Sequence, residues 1–358
     1  MKKLSFTGST PLAAAAFLVA TLLAGASTLA AQQTWYADAG AETQNQAVQA
    51  DGFFPNEMWV LAGDSIQWTF APKNEIHTVT FLAPNQVRPI APPPVGPPAG
   101  TPVVGLPLAC GPYTTPQTYT GANCVSSNPV SGGSTFTVTF SNPGNYKLVC
   151  LVHTDMNGTV HVLAKNNENA ATLHTQRFYD EQASDQASDL LKDRDDQREE
   201  VSDLRGHQVI AGTGEIAATG GGTQYRAVVR FLNPTIKIHE GESVTWTNLD
   251  PTEPHTVTFG TEPNGFIPTM TANLTAAKFD GTLTGEINTT SDFLNSGFLQ
   301  TQAPDRTAPG LGVPPSGDTQ LPPGTTRITI TFNHHGVYHY HCALHDLDGM
   351  VGKVIVLP

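Results

Sequence analysis

The sequence predicts an all-β protein built from two tandem copies of one sandwich domain. Three observations carry this expectation. Short alternating runs of Val, Ile, Thr, Phe, Tyr and Trp, broken by Gly, Pro and Asn, recur along the chain, which is the pattern of half-buried strands in a sandwich or barrel. One block then occurs twice without a gap. Gly63-Asp64-Ser65-Ile66-Gln67-Trp68-Thr69 leads to His77-Thr78-Val79-Thr80-Phe81, and 178 positions later Gly241-Glu242-Ser243-Val244-Thr245-Trp246-Thr247 leads to His255-Thr256-Val257-Thr258-Phe259. A second block repeats at an offset of 192: Thr137-Val138-Thr139-Phe140, Gly144, Tyr146 and Cys150 match Thr329-Ile330-Thr331-Phe332, Gly336, Tyr338 and Cys342. Repetition of this size marks a duplicated domain, and two copies do not make a solenoid.

Taken in order, the chain of 358 residues is long enough for two domains of ordinary size. Residues 1–31 read as a secretory signal peptide. Lys2 and Lys3 precede an apolar run from Pro11 to Leu23, and small residues end at Ala30-Ala31, where cleavage is expected. An uncleaved membrane anchor is the alternative, because the run is long for a signal. No cysteine lies near the cleavage region, which argues against a lipoprotein anchor.

Residues 32–164 form the first copy. Phe53, Met58 and Val60 match Phe231, Ile236 and Ile238 at the offset of 178, so the repeat begins upstream of the first block. Residues 82–133 interrupt this copy with 12 of the chain's 28 prolines and read as a long irregular insertion, functional or disordered. Residues 165–206 separate the copies. From Tyr179 to Arg205 they carry ten acidic and four basic residues with few apolar ones, the composition of a solvated helical linker, with partial disorder as the alternative. Residues 207–358 form the second copy, with an insertion over 260–325. Within it, Gly212-Thr213-Gly214 is only a partial dinucleotide fingerprint and reads as loop. Asn157, Asn273 and Asn288 stand in glycosylation-type triplets and mark exposed loops at most.

Along Tyr146-Lys147-Leu148-Val149-Cys150, alternation puts Tyr146, Leu148 and Cys150 on one face, and Tyr338, Tyr340 and Cys342 likewise. His339 and His341 then project from the opposite face.

Charge narrows the partners. The formal net charge is −13, and with Lys2 and Lys3 removed it becomes −15. Nucleic acid is excluded as an expected partner, because phosphate binding needs basic patches. An acidic surface suits a basic protein partner and equally serves solubility.

The four cysteines are Cys110, Cys124, Cys150 and Cys342. In an exported protein pairs are expected. Cys110 and Cys124 lie close together in one loop-like stretch and are the expected disulfide. Cys150 and Cys342 remain; they could pair with each other, but their neighbours argue for metal ligation.

Those neighbours form two ligand sets. Cys342, His345 and Met350 come from one loop, and His255 follows the Trp246 run. In the first copy, Cys150, His153 and Met156 come from one loop, and His77 stands where His255 stands. A lone histidine in a β protein is usually a surface or core residue, and a lone methionine is usually core. A thiolate, two imidazoles and a thioether occurring together twice are a different matter. That set suits copper cycling between two oxidation states, with two imidazoles and the thiolate in a trigonal plane and a long axial thioether. Structural zinc sites avoid methionine.

On these residues the sequence resembles the cupredoxins, the type 1 or blue copper proteins. Cys342-Ala343-Leu344-His345 through Gly349-Met350-Val351-Gly352-Lys353-Val354 is similar to the plastocyanin ligand loop. Cys150-Leu151-Val152-His153-Thr154-Asp155-Met156 has the shorter spacing of amicyanin. The resemblance implies Greek-key β-sandwiches and one type 1 copper per domain. It also implies that His153 and His345 lie near the surface, where electrons enter and leave. Copy two keeps the family's Asn248-x-Asp250 stretch, whereas copy one has Phe70-Ala71-Pro72 in line with it, so the two sites are expected to differ in hydrogen bonding and potential.

The function expected is electron transfer with a redox partner protein and no small-molecule substrate. One alternative is a two-domain copper oxidase or nitrite reductase-like enzyme with an additional copper near His339 and His341. Against it, copy one has Val149 where copy two has His341, and only one His-x-His pair exists. Copper buffering or delivery is the other alternative; His334, His335, His339 and His341 are its only hint.

Overall fold

A computed structural model describes residues 32–86, 110–111, 114–130, 132–153, 155–166, 174–192, 204–261, 274, 282–299 and 326–358. The expected signal peptide, much of both insertions, the ends of the linker and the Asn273 triplet lie outside the described residues.

The first copy contributes β1 (Thr34–Glu42), β2 (Val48–Phe54), β3 (Glu57–Leu61), β4 (Ser65–Phe70), β5 (Thr80–Phe81), β6 (Gln117–Tyr119), β7 (Val125–Ser126), β8 (Thr135–Phe140), β9 (Gly144–Val149) and β10 (Asn157–Leu163). Helix α1 (Gln176–Leu191) follows. The second copy contributes β11 (Gln208–Ala218), β12 (Thr223–Leu232), β13 (Thr235–His239), β14 (Ser243–Leu249), β15 (Thr258–Phe259), β16 (Thr282–Ile287), β17 (Leu294–Asn295), β18 (Arg327–Phe332), β19 (Gly336–His341) and β20 (Val351–Leu357).

These strands make two sandwiches that share a sheet. Each copy has its own five-stranded sheet, in the order β3-β10-β9-β5-β7 and β13-β20-β19-β15-β17. Their other sheets join edge to edge into one ten-stranded sheet, β16-β18-β14-β11-β12-β2-β1-β4-β8-β6. The joint is the antiparallel pair β2–β12, with Asp51 opposite Tyr225 and Val48 opposite Val228. Pairing there covers two edges that would otherwise expose unpaired backbone groups. The expected two-domain all-β sandwich is borne out.

Each core forms between its two sheets from inward-facing residues of the repeated runs. Trp68, Phe81, Phe136 and Phe140 fill the first, and Trp246, Phe259, Phe332 and Tyr340 the second. Trp68 and Trp246, matched in the repeat, are both fully buried and each meets a phenylalanine, Phe81 at 5.9 Å and Phe259 at 5.7 Å between ring centroids. Tyr338, Tyr340 and Cys342 point inward as alternation required, and His339 is exposed.

Three readings change. The linker helix is not solvated all round. Tyr179, Ala183 and Leu190 are buried, with Ala187 and Leu191 packed beside them, so the stripe is real but made largely of alanine, which carries little hydrophobic signal. Tyr179 meets Trp35 edge-on at 5.4 Å, and its hydroxyl both accepts from the Trp59 amide at 2.9 Å and donates to the Trp59 carbonyl at 2.7 Å. Thr175 caps the helix, and Asp180, Glu181, Asp185 and Asp189 face outward. Both insertions return as edge strands: β6 runs parallel to β8, and β16 parallel to β18. Finally, Gly212-Thr213-Gly214 is not loop but part of β11. Gly212 occupies a bulge there, where the register to β12 shifts between Ala211 and Thr213. Its φ of +84° is the left-handed conformation that favours glycine at such bulges.

Among the described residues no helix is long and apolar enough to cross a membrane.

Candidate metal centres

In each copy, ligand-type atoms from two parts of the chain converge at one end of the sandwich. His77 leads into β5 and is fixed by paired backbone bonds with Val130 at 3.0 Å. Cys150 follows β9, and His153 and Met156 complete the turn into β10. That turn is closed by the Cys150 amide on the Met156 carbonyl at 3.0 Å and the Met156 amide on the His153 carbonyl at 3.3 Å. The second copy repeats the construction. The Cys342 amide bonds the Met350 carbonyl at 3.1 Å and the Met350 amide the His345 carbonyl at 3.0 Å, while His255 pairs with Leu299.

The donor triangles are nearly alike. His77 Nδ1 and His153 Nδ1 are 3.0 Å apart, and Cys150 Sγ is 3.7 Å from His153 Nδ1. His255 Nδ1 and His345 Nδ1 are 3.2 Å apart, with Cys342 Sγ at 3.9 Å and 3.5 Å from them. A first-row ion bonding imidazole at about 2.0 Å and thiolate at about 2.3 Å in a trigonal plane sets these separations at about 3.5 Å and about 3.7 Å. The three lone pairs thus face a space of the right size for one ion. Without an electrophile between them, two imidazole nitrogens at this distance need a proton on one of the two. Met156 and Met350 are fully buried in the same clusters as Cys150 and Cys342. The donor set therefore fits copper.

Burial raises the Cys150 thiol, but the hydrogen bonds and charges of His153 and His77 outweigh it and hold it well below its ordinary value. Cys342 is lowered in the same way by His345 and His255. Burial opposes charge on His153 and His345 too, yet the thiolates and nearby carboxylates raise both well above the ordinary imidazole range. A thiolate is what a soft metal takes up.

The repeated His-Thr-Val-Thr run has a local purpose. The Thr78 amide donates to Cys150 Sγ at 3.3 Å while its hydroxyl accepts from the Leu151 amide at 2.7 Å. Thr256 does the same to Cys342 Sγ at 3.4 Å and the Ala343 amide at 2.8 Å. Each threonine staples the segment carrying the first histidine to the cysteine loop.

Three groups behind the ligands, Glu75, Glu253 and Asp51, escaped the sequence reading. Glu75 and Glu253, each two residues before the first histidine, stand at the repeat's offset and could have been found by it. Glu75 Oε1 is 3.2 Å from His153 Nε2, and Glu253 Oε1 is 3.6 Å from His345 Nε2. Asp51 has no such signal, because each copy takes this carboxylate from a different element and only Asp250 stands in the Asn248-x-Asp250 stretch. Asp51, on β2, lies 3.6 Å from His77 Nε2; Asp250, just past β14, lies 4.0 Å from His255 Nε2. The departure at Phe70-Ala71-Pro72 is thus offset by another strand. In copy two Asn248 holds the loop, donating to the Glu253 and Leu299 carbonyls at 3.0 and 2.7 Å. Gly40 and Gly212, both at positive φ, back the first histidines so closely that a Cβ would meet the ring of His77 or His255.

One implication of the resemblance is overturned. His153 and His345 are not at the surface; they are 4 % and 3 % exposed. The β2–β12 joint places the metal ends of the two sandwiches against each other, so that Tyr225, on β12, stands 6.0 Å from the His153 ring.

His339 and His341 lie on β19 outside both triangles. Cys110 and Cys124 form the expected disulfide, while Cys150 and Cys342 are buried and outside any disulfide. Glu240, His334 and His335 form an exposed group whose ligand-type atoms lie within 4.8 Å of one another.

Comparison with known proteins agrees with this geometry. Residues 217–357 match the model of the copper-binding protein family of plastocyanin and azurin. No curated protein sequence matches the chain. Among solved structures, a purple cupredoxin from Nitrosopumilus maritimus is 22 % identical, with a TM-score of 0.19, over 42 % of this chain and 100 % of its own. Plastocyanin from Dryopteris crassirhizoma is 17 % identical, with a TM-score of 0.20, over 42 % and 99 %. A reduced amicyanin variant is 16 % identical, with a TM-score of 0.22, over 36 % and 82 %. At such values these likenesses add no weight to the fold or the site. The match places the second copy in the copper-binding family of plastocyanin and azurin, and the same His–Cys–His triangle repeated in the first copy supports a blue copper protein of the electron-carrier type.

Proposed function

We propose that the chain is an exported electron carrier with two type 1 copper centres. His77, Cys150, His153 and Met156 hold one, and His255, Cys342, His345 and Met350 the other. The observation that carries this reading is the second triangle: both repeats bring two imidazole Nδ1 atoms and a thiolate together behind the same threonine staple. Bound copper supplies a one-electron couple between Cu(II) and Cu(I).

The chain's own residues do the rest. Buried ligands on paired strands hold the triangle still, so little has to move when charge changes. The Thr78 and Thr256 amides withdraw electron density from the two sulfurs, which favours the reduced state. The thioethers of Met156 and Met350 tune the potential. No group need accept a substrate proton. The net charge of −13 supports a basic redox partner protein. The N-terminal Lys2, Lys3 and apolar run, together with the Cys110–Cys124 disulfide, support export.

Copper counted per chain, with optical and electron paramagnetic resonance spectra, tests the reading. Two blue centres are expected, and Cys150→Ser or Cys342→Ser should each remove one of them. A chain that holds one copper refutes the two-centre reading.

One observation favours an enzyme instead. His341 Nε2 is buried without a hydrogen-bond partner, directly before Cys342. A type 2 copper signal that vanishes in His341→Ala would select that reading over the carrier.

A further inference from the structure

Both loop histidines turn Nδ1 toward their own centre, which leaves Nε2 as the protonated nitrogen of a neutral ring. Both Nε2 atoms face the joint between the sandwiches, and one carboxylate lies between them. Glu253 Oε2 is 3.9 Å from His153 Nε2, in the first copy, and Glu253 Oε1 is 3.6 Å from His345 Nε2, in the second.

Glu253 is held in that position. Tyr225, fully buried, donates its hydroxyl to Oε2 at 2.9 Å. The backbone around Glu253 is tied as well, its amide bonding Asp250 Oδ1 at 2.7 Å and its carbonyl accepting from Asn248 at 3.0 Å. The equivalent glutamate of the first copy, Glu75, has its ion pair with His153, in its own copy. In the repeat's register the position of Tyr225 is Ala47 in copy one, so no matching hydroxyl draws Glu75 across. The bridge is a product of the duplication having diverged.

We propose that Glu253 is the bridge through which the two metal centres of one chain exchange an electron. This rests on the reading that both domains hold copper. The path from ring to ring is one imidazole, a 3.9 Å gap, one carboxylate, a 3.6 Å gap and the other imidazole. Electronic coupling falls off more slowly along such a chain of π-systems and polar contacts than across an apolar gap. In the exchange, the centre held by Cys150 loses one electron as the centre held by Cys342 gains one, or the reverse. One copper is oxidised, the other reduced, no bond forms or breaks, and no proton need leave a ring or the carboxylate. A carrier so built accepts an electron at whichever centre a partner reaches and equilibrates it internally.

The experiment uses the full copper-loaded chain. One electron is injected by flash photoreduction into the fully oxidised protein, and its redistribution between the two blue centres is followed optically and by freeze-quenched paramagnetic resonance. The parent should show a redistribution phase whose rate does not depend on protein concentration. Cys150→Ser and Cys342→Ser, with one centre each, should lack it. Glu253→Leu should slow the phase markedly, read on chains that carry both coppers and show both blue bands. Glu253→Gln, which keeps a planar polar group between the rings, should retain most of the rate. Glu75→Gln, which removes the ion pair to His153 and leaves Glu253 between the rings, should slow the phase far less than Glu253→Leu.

A two-copper parent whose exchange is only bimolecular overturns the bridge and leaves the two-centre reading standing. So does an unchanged rate in Glu253→Leu, or an equal slowing in Glu75→Gln. A parent that loads one copper overturns both.

Discussion

Replacing Gly212 by alanine should remove the second metal centre without unfolding the domain. A Cβ there would lie 2.0 Å from His255 Nε2 and 2.3 Å from Cδ2. Carbon contacts are comfortable at about 3.5 Å, so the ring must retreat by about 1.5 Å. Ligand constellations tolerate displacements of about 0.5 Å. The second cost is backbone strain at a φ of +84°, about 1–2 kcal/mol for a residue with a Cβ. The two costs separate cleanly, because Gly241 has a φ of +83° with nothing within 4 Å of the added atom. Gly241→Ala should therefore lose about 1–2 kcal/mol of stability and keep both centres. Gly212→Ala should lose a similar amount of stability in the metal-free chain and bind the second copper at least about tenfold more weakly. Copper titration followed at the blue absorption band reads the affinity, with the first centre as internal reference, and urea unfolding reads the stability. A Gly212→Ala chain that takes up its second copper as tightly as the parent, with the same band, would refute the argument that the bulge positions His255. So would equal copper loss in Gly241→Ala.

Other outcomes follow from the same geometry. In the copper-free chain, burial pushes the Asp51 carboxyl up to about 7, against the smaller lowering by His153 and His77. The unfolded chain titrates that group near 4. Between those values the folded state holds a proton that the unfolded state lacks, so this group makes stability fall as pH rises from about 4 to about 7 and stay low above it. Asp51→Asn should remove that fall, exceeding the parent by on the order of 2–4 kcal/mol at pH 8 and matching it below pH 4 in urea melts; parallel curves would sink the assignment. Tyr179→Phe deletes the hydroxyl that bonds both backbone groups of Trp59. It should cost about 1–3 kcal/mol in chemical unfolding, with the blue spectrum untouched. His341→Ala should leave both blue centres in place, as measured by copper content and absorbance; loss of a blue band would place His341 in the second site.

The fold was legible in residues that recur. Trp68 and Trp246, the His-Thr-Val-Thr runs and the Cys–His–Met loops return at constant offsets. A buried aromatic on a strand and a ligand ahead of a threonine staple leave local patterns that survive duplication. The alternation that turned Tyr338, Tyr340 and Cys342 inward is equally local, since it depends only on the pleat of one strand. The alanine stripe of α1 was not legible, because alanine buries well while barely announcing a hydrophobic face. Gly212 was misread as loop, because a bulge glycine and a turn glycine look alike until the partner strand is known.

The ligand triangles and their copper chemistry could be written down from residue types and spacing alone, because each centre draws its donors from segments that every copy of the fold brings together. The relation between the centres could not. It depends on which sheet edges pair, and the pairing of β2 with β12 joins strands far apart in the chain, where no short pattern can announce it. That single pairing buries His153 and His345 instead of exposing them. It also brings Asp51 into register opposite Tyr225, and places one glutamate between two histidines that lie in different domains and far apart in the chain.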